Sequence, residues 1–454
     1  MKTYQNLIAN QWVASDTGIT LTVTNPATEA LAGAVHLASA AQVLQACHAA
    51  AKAQRAWRKT PAIGRADFMR RLADALVARK HAIGAALALE SGKSLEDATN
   101  EAAYAADITR YHAEWARRIE GEVIPSDSPS ENLVLHREPL GVVACLIPFN
   151  YPVYTLLRKI APALITGNTV VVRPSNNTPC SAFEIAQAVL DAGLPPGVVN
   201  IMAMDHDAAE QMCTHPRVAM ITLTGSVAAG RRMLDFSRTN IARVSLEMGG
   251  KTPAIITPSA DLDAAMAAIV GSKTTHCGQL CTAVERVYVH RSLHDAVLQR
   301  LRTGMQGRAF GDRTADAGRM GPLVSDAARQ GIHAMVQRAV ADGARLECGG
   351  VVPDGPGFFY PPTLLSGMRQ DSEIVQQETF GPVLCVLPYD DFDDALAMAS
   401  DHQYGLASVL YSNDYREVMQ AGNEIEAGEL YINRTPADPY QGYHAGWKRS
   451  GLGG

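Results

Sequence analysis

The sequence has no apolar run near the roughly 18 to 20 residues that a membrane-spanning helix needs. Its start, Met1-Lys2-Thr3-Tyr4-Gln5-Asn6, carries no apolar core of a secretion signal. It has no basic block and no aromatic-interleaved basic stripe, which argues against nucleic acid as a partner. The net charge of −6 and pI near 6.1 agree. There is no internal repeat and no low-complexity segment. The eight cysteines fall in no disulfide pattern, which suits reduced thiols in a cytoplasm, and no residue set calls for a metal. What remains is a 454-residue chain, 47% hydrophobic and 19% charged, long enough for two or three domains.

Leu7 to Val13 reads as a short hairpin around Asn10-Gln11. From Ser39, an N-cap, to about Arg118 the pattern is helical and alanine-rich, punctuated at Pro61, Gly64 and Ser91-Gly92-Lys93. Such a stripe reads as packing, so nothing catalytic is assigned before Arg118. Leu133 to Pro139 reads as a strand leaving the main body. From Gly141 the texture changes. Val142 to Ile147 is a continuous apolar run, as for a strand buried on both faces. Strands at 169–172, 199–202, 219–223 and 243–246 then alternate with helices at 153–165, 179–192, 206–215 and 227–238. That alternation predicts a parallel sheet with helices on both faces, and ligands at the carboxyl ends of its strands. A second αβ series begins at Thr252, with a helix from Ser325 to Asp342 and a strand over Ser408 to Tyr411.

Cys277-Gly278-Gln279-Leu280-Cys281 reads as a loop feeding the strand that ends at Val289. A free cysteine is most often a small buried hydrophobe, but a thiolate in a loop attacks electrophilic carbon. Three other stretches carry chemistry. Leu246-Glu247-Met248-Gly249-Gly250-Lys251 places one carboxylate in an apolar, glycine-flanked turn. A base in such a partly dry place is expected to have its pKa raised toward working pH. Pro148-Phe149-Asn150-Tyr151-Pro152 places an amide between prolines, and Glu378-Thr379-Phe380-Gly381-Pro382 is the third. Thr224-Gly225-Ser226 to Gly230 follows a strand and opens a helix, where backbone N–H groups bind phosphate.

In order and approximate spacing, these motifs resemble the aldehyde dehydrogenase superfamily from about Asn10 to Gly454. The resemblance implies an α/β fold: a Rossmann-type cofactor domain (1–120 and 140–249), an α/β catalytic domain (250–433), and a small oligomerisation segment (121–139 and 434–454). It implies that Cys281 is the nucleophile, that Asn150 and the Cys281 N–H hold the oxyanion, and that Glu247 activates the deacylating water. Relatives that pass the acyl group to coenzyme A generally lack this base, so Glu247 implies release of a free acid. Members that lose the nucleophile bind without catalysis, but this chain keeps Cys281, Glu247 and Asn150. Lys159 and Lys251 are supporting cations in this reading.

The resemblance also implies NAD or NADP, held by Arg173, Ser175, Asn176, Gly225, Ser226, Gly230, Glu378 and Phe380. The usual Lys-Pro-Ser-Glu is here Arg173-Pro174-Ser175-Asn176. Loss of the acidic residue opens the site to a 2′-phosphate, so NADP use comparable with NAD is expected. For the substrate, Arg158 matches succinate-semialdehyde dehydrogenases, but their second arginine, six residues before the cysteine, is Thr275 here. Tyr431-Ile432-Asn433-Arg434 and Gln441 to Trp447 resemble lactaldehyde and glycolaldehyde dehydrogenases more closely. Asp438 and His444 are then expected beside an α-hydroxyl, with a small aldehyde as substrate. Two departures stand out: His276 replaces the usual Asn, and Cys277 lies four residues before Cys281, where a disulfide would inhibit. Relatives continue one or two dozen residues past Gly451-Leu452-Gly453-Gly454, through a strand that pairs with a partner subunit. Either this chain is incomplete or its assembly differs; the resemblance implies a homo-oligomer, dimer or tetramer.

Overall fold

The computed structural model describes residues 2–313 and 316–453; Met1 and Gly454, the ends of the expected spans, lie outside them. Two sheets dominate. In the first, five parallel strands run in the order Arg243–Met248, Val218–Gly225, Val142–Leu146, Thr169–Arg173, Val199–Ile201. The expected hairpin, Asn6–Ile8 with Gln11–Val13, adds antiparallel at one edge, turning through Ala9 and Asn10 at positive φ. The second sheet holds seven strands, with Pro253–Ile256 between Arg286–His290 and Ala407–Tyr411.

The unbroken apolar run at 142–146 has a plain cause. Val143 and Cys145 face one core while Val142, Ala144 and Leu146 face another, so the strand has no solvent side. The second sheet repeats the arrangement, with Ile255 and Tyr288 in one core and Ala254, Ile256 and Val287 in the other.

The helical region is three helices: α1 (Ala40–Trp57), α2 (Ala62–Ser91) and α3 (Leu95–Ala113). Ser39 caps α1 in a reciprocal capping box with Gln42, and Ser94 caps α3. Gly64 does not interrupt the chain but lies in the first turn of α2. One helical glycine costs about 1 kcal/mol, which the buried face of so long a helix outweighs. Helix α4 (Pro152–Ile165) follows the strand 142–146 and starts on a proline.

The ribbon Glu122–Ile124 with Leu133–Leu135 stands off the body, with all six residues exposed. The described residues 434–453 do not pair with it. They cross the mouth of the first sheet, and Gly451–Leu452 adds antiparallel to Arg243–Met248. Among the described residues no helix is long and apolar enough to cross a membrane.

Helix α2 stops at Gly92, at φ 72°, where a Cβ would sit 2.5 Å from Pro322 Cγ. Gly92→Ala is expected to destabilise the protein by about 1–3 kcal/mol, through left-handed strain and the clash. An unchanged urea midpoint would contradict that.

Candidate active site

The strand 142–146 delivers Asn150 to the carboxyl end of the first sheet, and α4 leads away from it. The Asn150 amide Nδ2 donates to the Gln279 carbonyl at 2.9 Å, tying this turn to the loop that carries Cys281. Beneath it lies a buried ion pair. Lys93 Nζ donates to Glu101 at 2.5 Å and to the Asn150 carbonyl at 2.6 Å. The other Glu101 oxygen accepts from Val153 N and Tyr154 N at 3.0 and 3.1 Å, capping α4, whose N-cap Tyr151 makes no side-chain cap. A buried pair adds little net stability; here it fixes where Asn150 points. Both residues lie in the alanine-rich region to which sequence reasoning assigned no function.

Three successive residues shortly before Cys281, namely His276, Cys277 and Gly278, have φ of 45°, 58° and 70°. A Cβ at Gly278 would meet the Gly381 carbonyl oxygen at 2.4 Å, so the turn admits glycine only. Cys277 is fully buried and all eight cysteines are free. Cys281 is half-buried, with Sγ 3.8 Å from His444 Nε2. That imidazole links the expected residues. Its Nε2 lies 3.3 Å from Glu247 Oε1, and its Nδ1 lies 2.8 Å from Glu429 Oε1.

The electrostatics follow from this chain of contacts. Burial opposes charge on His444, but its hydrogen bonds to Cys281, Glu247 and Glu429 prevail and hold it well above the usual histidine range. Burial pushes the Glu247 carboxyl up, yet the His444 contact outweighs it and its pKa is lowered. The expected upward shift is therefore corrected: the glycine-flanked turn is dry, but it is paired with a cation. Burial, then the Glu247 charge, pushes the Cys281 thiol up to about 12. Lys159 donates to Thr222 Oγ1 at 2.9 Å, and burial lowers its pKa to about 8.

A second buried charge cluster shapes the opposite wall. Glu285 accepts from Lys251 Nζ at 2.5 Å, from Thr379 N and Oγ1 at 2.9 and 2.7 Å, and from Phe380 N at 3.0 Å. Lys273 stands 3.3 Å away. Lys251 thus supports the Glu378 turn and is not free to meet substrate. Glu378 accepts from Gly250 N at 3.0 Å, and a Cβ on Gly249 would overlap its carboxylate. Burial, then repulsion from Glu285, pushes the Glu378 carboxyl up to about 8. Phe380, at φ 49°, packs edge-on against Phe149.

Of the expected cofactor residues, Arg173 and Gly225 end strands of the first sheet and Ser175, Asn176 and Ser226 follow them, while Glu378 and Phe380 lie in the turn before the strand Val383–Tyr389 of the second. Ser226 caps the helix Val227–Asn240 through Ala229 N, and Gly230 leaves room for Met248, whose Sδ a Cβ would overlap. Ser175 Oγ accepts from Asn177 N at 3.2 Å. Arg173 donates to the Met204 carbonyl at 3.4 Å. Asn176 Oδ1 is buried without a hydrogen-bond partner. An orphaned acceptor fits a ribose hydroxyl, and the backbone N–H groups at the start of the helix Val227–Asn240 fit the phosphates of a dinucleotide.

The substrate side is a cavity of about 1080 Å³ containing Asn150, Arg158, Glu247, Cys281, Asp438 and His444. Arg158 is not free within it: its guanidinium bonds Asp438 at 2.5 Å, two expected substrate residues 280 positions apart. Thr275 is exposed and its hydroxyl turns back to the Gly271 carbonyl. Sequence reasoning missed Lys93, Glu101, Glu285 and Glu429. Only Glu429 left a signal, two residues before the Tyr431-Ile432-Asn433-Arg434 motif.

Comparison with known proteins gives a consistent result. Residues 12–454 match the model of the aldehyde dehydrogenase family. Lactaldehyde dehydrogenase of Escherichia coli is 43% identical over 95% of this chain and 91% of its own length. The crystal structure of lactaldehyde dehydrogenase from Escherichia coli superposes with a TM-score of 0.98 at 41% identity, covering 100% of this chain and 95% of that one. The D-glyceraldehyde dehydrogenase (NADP(+)) of Thermoplasma acidophilum is 35% identical over 98% of this chain and 92% of its own length.

The His444 contacts make a pH prediction. Glu429→Gln removes one of two carboxylates that keep His444 charged, so His444 lowers the Glu247 pKa less. Glu247 then protonates at higher pH, and the acid limb of kcat should move upward. An acid limb that stays put or moves down would show that His444 does not control Glu247.

Proposed function

The chain belongs to the aldehyde dehydrogenase family and is an oxidoreductase acting on aldehydes; from that premise we propose that it oxidises a small α-hydroxyaldehyde, such as lactaldehyde or glycolaldehyde, to its free acid. The observation that carries the substrate reading is the Arg158–Asp438 pair. A semialdehyde brings a distal carboxylate, and Asp438 already occupies the cation that would receive it. Thr275 supplies no second one. A hydroxyl needs one donor and one acceptor, which the paired Arg158 and Asp438 present together. The names of the lactaldehyde and glyceraldehyde relatives point the same way.

In the proposed reaction Cys281 gives up its thiol proton to solvent and its Sγ attacks the aldehyde carbon. The oxyanion forms against Asn150, already oriented by Lys93 and Gln279. A dinucleotide held by Asn176, Ser226, Glu378 and Phe380 would supply the two-electron acceptor for oxidation of the Cys281 adduct to a thioester. Glu247 then removes a proton from water, which attacks the thioester and releases the acid and the Cys281 sulfur. His444 holds Glu247 ionised until it takes the proton from water.

Family members use NAD or NADP, and for this chain comparable use of both is proposed. Asn176 brings no charge against a 2′-phosphate, and Arg173, three residues earlier, supplies a guanidinium that pairs with phosphate. The exposed apolar ribbon, with Val123 78% exposed, supports assembly into a homo-oligomer. Eight unpaired cysteines suit a reducing, cytoplasmic workplace.

Three experiments test the reading. Glu247→Gln should leave a burst of reduced cofactor followed by a slow steady state; loss of the burst would place Glu247 before deacylation. Asp438→Asn frees Arg158, and kcat/KM for succinate semialdehyde should rise relative to glycolaldehyde by roughly tenfold, about 1.4 kcal/mol. No change in that ratio would sink the substrate argument. Asn176→Glu should depress NADP use more than NAD use, and a parent enzyme that rejects NADP a hundredfold would remove the basis for it.

A further inference from the structure

We propose that the reaction centre doubles as a preformed site for a thiophilic divalent cation of the Zn²⁺ class, and that such a cation switches the enzyme off reversibly. Cys281 Sγ, His444 Nε2 and a Glu247 carboxylate oxygen all lie within 4.8 Å of one another. Sequence reasoning called for no metal, because these residues lie 34 and 163 positions apart.

The spacings suit a tetrahedral ion. Zn–N and Zn–O bonds of about 2.0 Å at the tetrahedral angle separate the two ligand atoms by about 3.3 Å, and a Zn–S bond of about 2.3 Å puts sulfur about 3.6 Å from nitrogen. The observed separations are 3.3 Å for Nε2 to Oε1 and 3.8 Å for Sγ to Nε2. Thiolate, imidazole and carboxylate together select zinc-like ions over magnesium or calcium. The outer contact is present as well. A metal-bound histidine is normally fixed by a carboxylate on its other ring nitrogen, and Glu429 stands 2.8 Å from His444 Nδ1.

The exchange balances in charge. The incoming dication forms bonds to Sγ, Nε2 and Oε1. The thiol proton and the Nε2 proton leave to solvent, and no electrons move. Two positive charges enter as two leave, so the pocket keeps its net charge. A water molecule, or an oxygen of a bound hydroxyaldehyde, fills the fourth position. Sulfur and base are then both engaged, which blocks attack and deacylation alike, and a chelator restores both.

Co²⁺ titration of the full-length enzyme tests this, since Co²⁺ reports its geometry and any thiolate ligand by absorption. One equivalent should give strong tetrahedral visible bands and a sulfur-to-cobalt charge-transfer band, both displaced by one equivalent of Zn²⁺. Cys281→Ser should abolish the charge-transfer band. Cys348→Ser, at the other half-buried cysteine, should leave it intact. Glu429→Gln should weaken binding roughly 10–100-fold, while Cys281 alkylation confirms that the variant is folded. A charge-transfer band that survives Cys281→Ser, or no such band at saturating Co²⁺, overturns the proposal. Because these readouts are taken without aldehyde or dinucleotide, they stand whether or not the substrate assignment does.

Discussion

The hydrogen bond between Glu429 and the His444 imidazole is the contact on which the proposed reaction centre depends. Glu429 sits at the start of the last strand of the second sheet, Glu429–Ile432, and His444 on the segment that returns toward the first. Their contact therefore holds that segment against Cys281 and Glu247. An imidazole buried between two carboxylates keeps its charge at small cost, because each carboxylate offsets the loss of water. Its charge in turn permits Glu247 to stay ionised in a dry turn. Without His444, burial would push that carboxyl up, as it does Glu378, which has no comparable cation and rises to about 8. The two glutamates occupy similar depths and differ in their partners.

The same device recurs at two further walls. Lys93 and Glu101 fix the Asn150 turn, and Lys251, Lys273 and Glu285 fix the turn carrying Glu378 and Phe380. In each case a buried carboxylate accepts from backbone N–H groups of the functional turn and is neutralised by lysine. Backbone donors have fixed directions, so each cluster converts charge pairing into a definite loop position. The loops need such support because their own geometry is strained. His276 and Cys277 before Cys281, and Phe380 in the Glu378 turn, hold positive φ without being glycine.

The sheet strands were legible because burial on both faces leaves a continuous apolar run, as at Val142–Leu146. Asn150, Glu247 and Cys281 were legible because glycine and proline frame them in short motifs. Lys93 and Glu101 were not, because in an alanine-rich helical region a lysine and a glutamate read as a solvated pair. The ionisation of Glu247 was not, because it is set by a histidine 197 positions away. For the same reason Arg158 reads as a free cation in the sequence, while the fold gives it Asp438 as a partner. Local pattern reports local environment, and these charges are settled by contacts between the two sheets.

The central claim is that His444 is a cation between Glu247 and Glu429 in the resting enzyme. Nitrogen NMR of histidine-labelled protein tests it directly, with His444 assigned by its disappearance in His444→Gln. The account predicts that both ring nitrogens still carry protons at about pH 8, where an ordinary histidine is neutral. A neutral His444 at that pH would contradict it, since Glu247 would then have no cation to hold its charge.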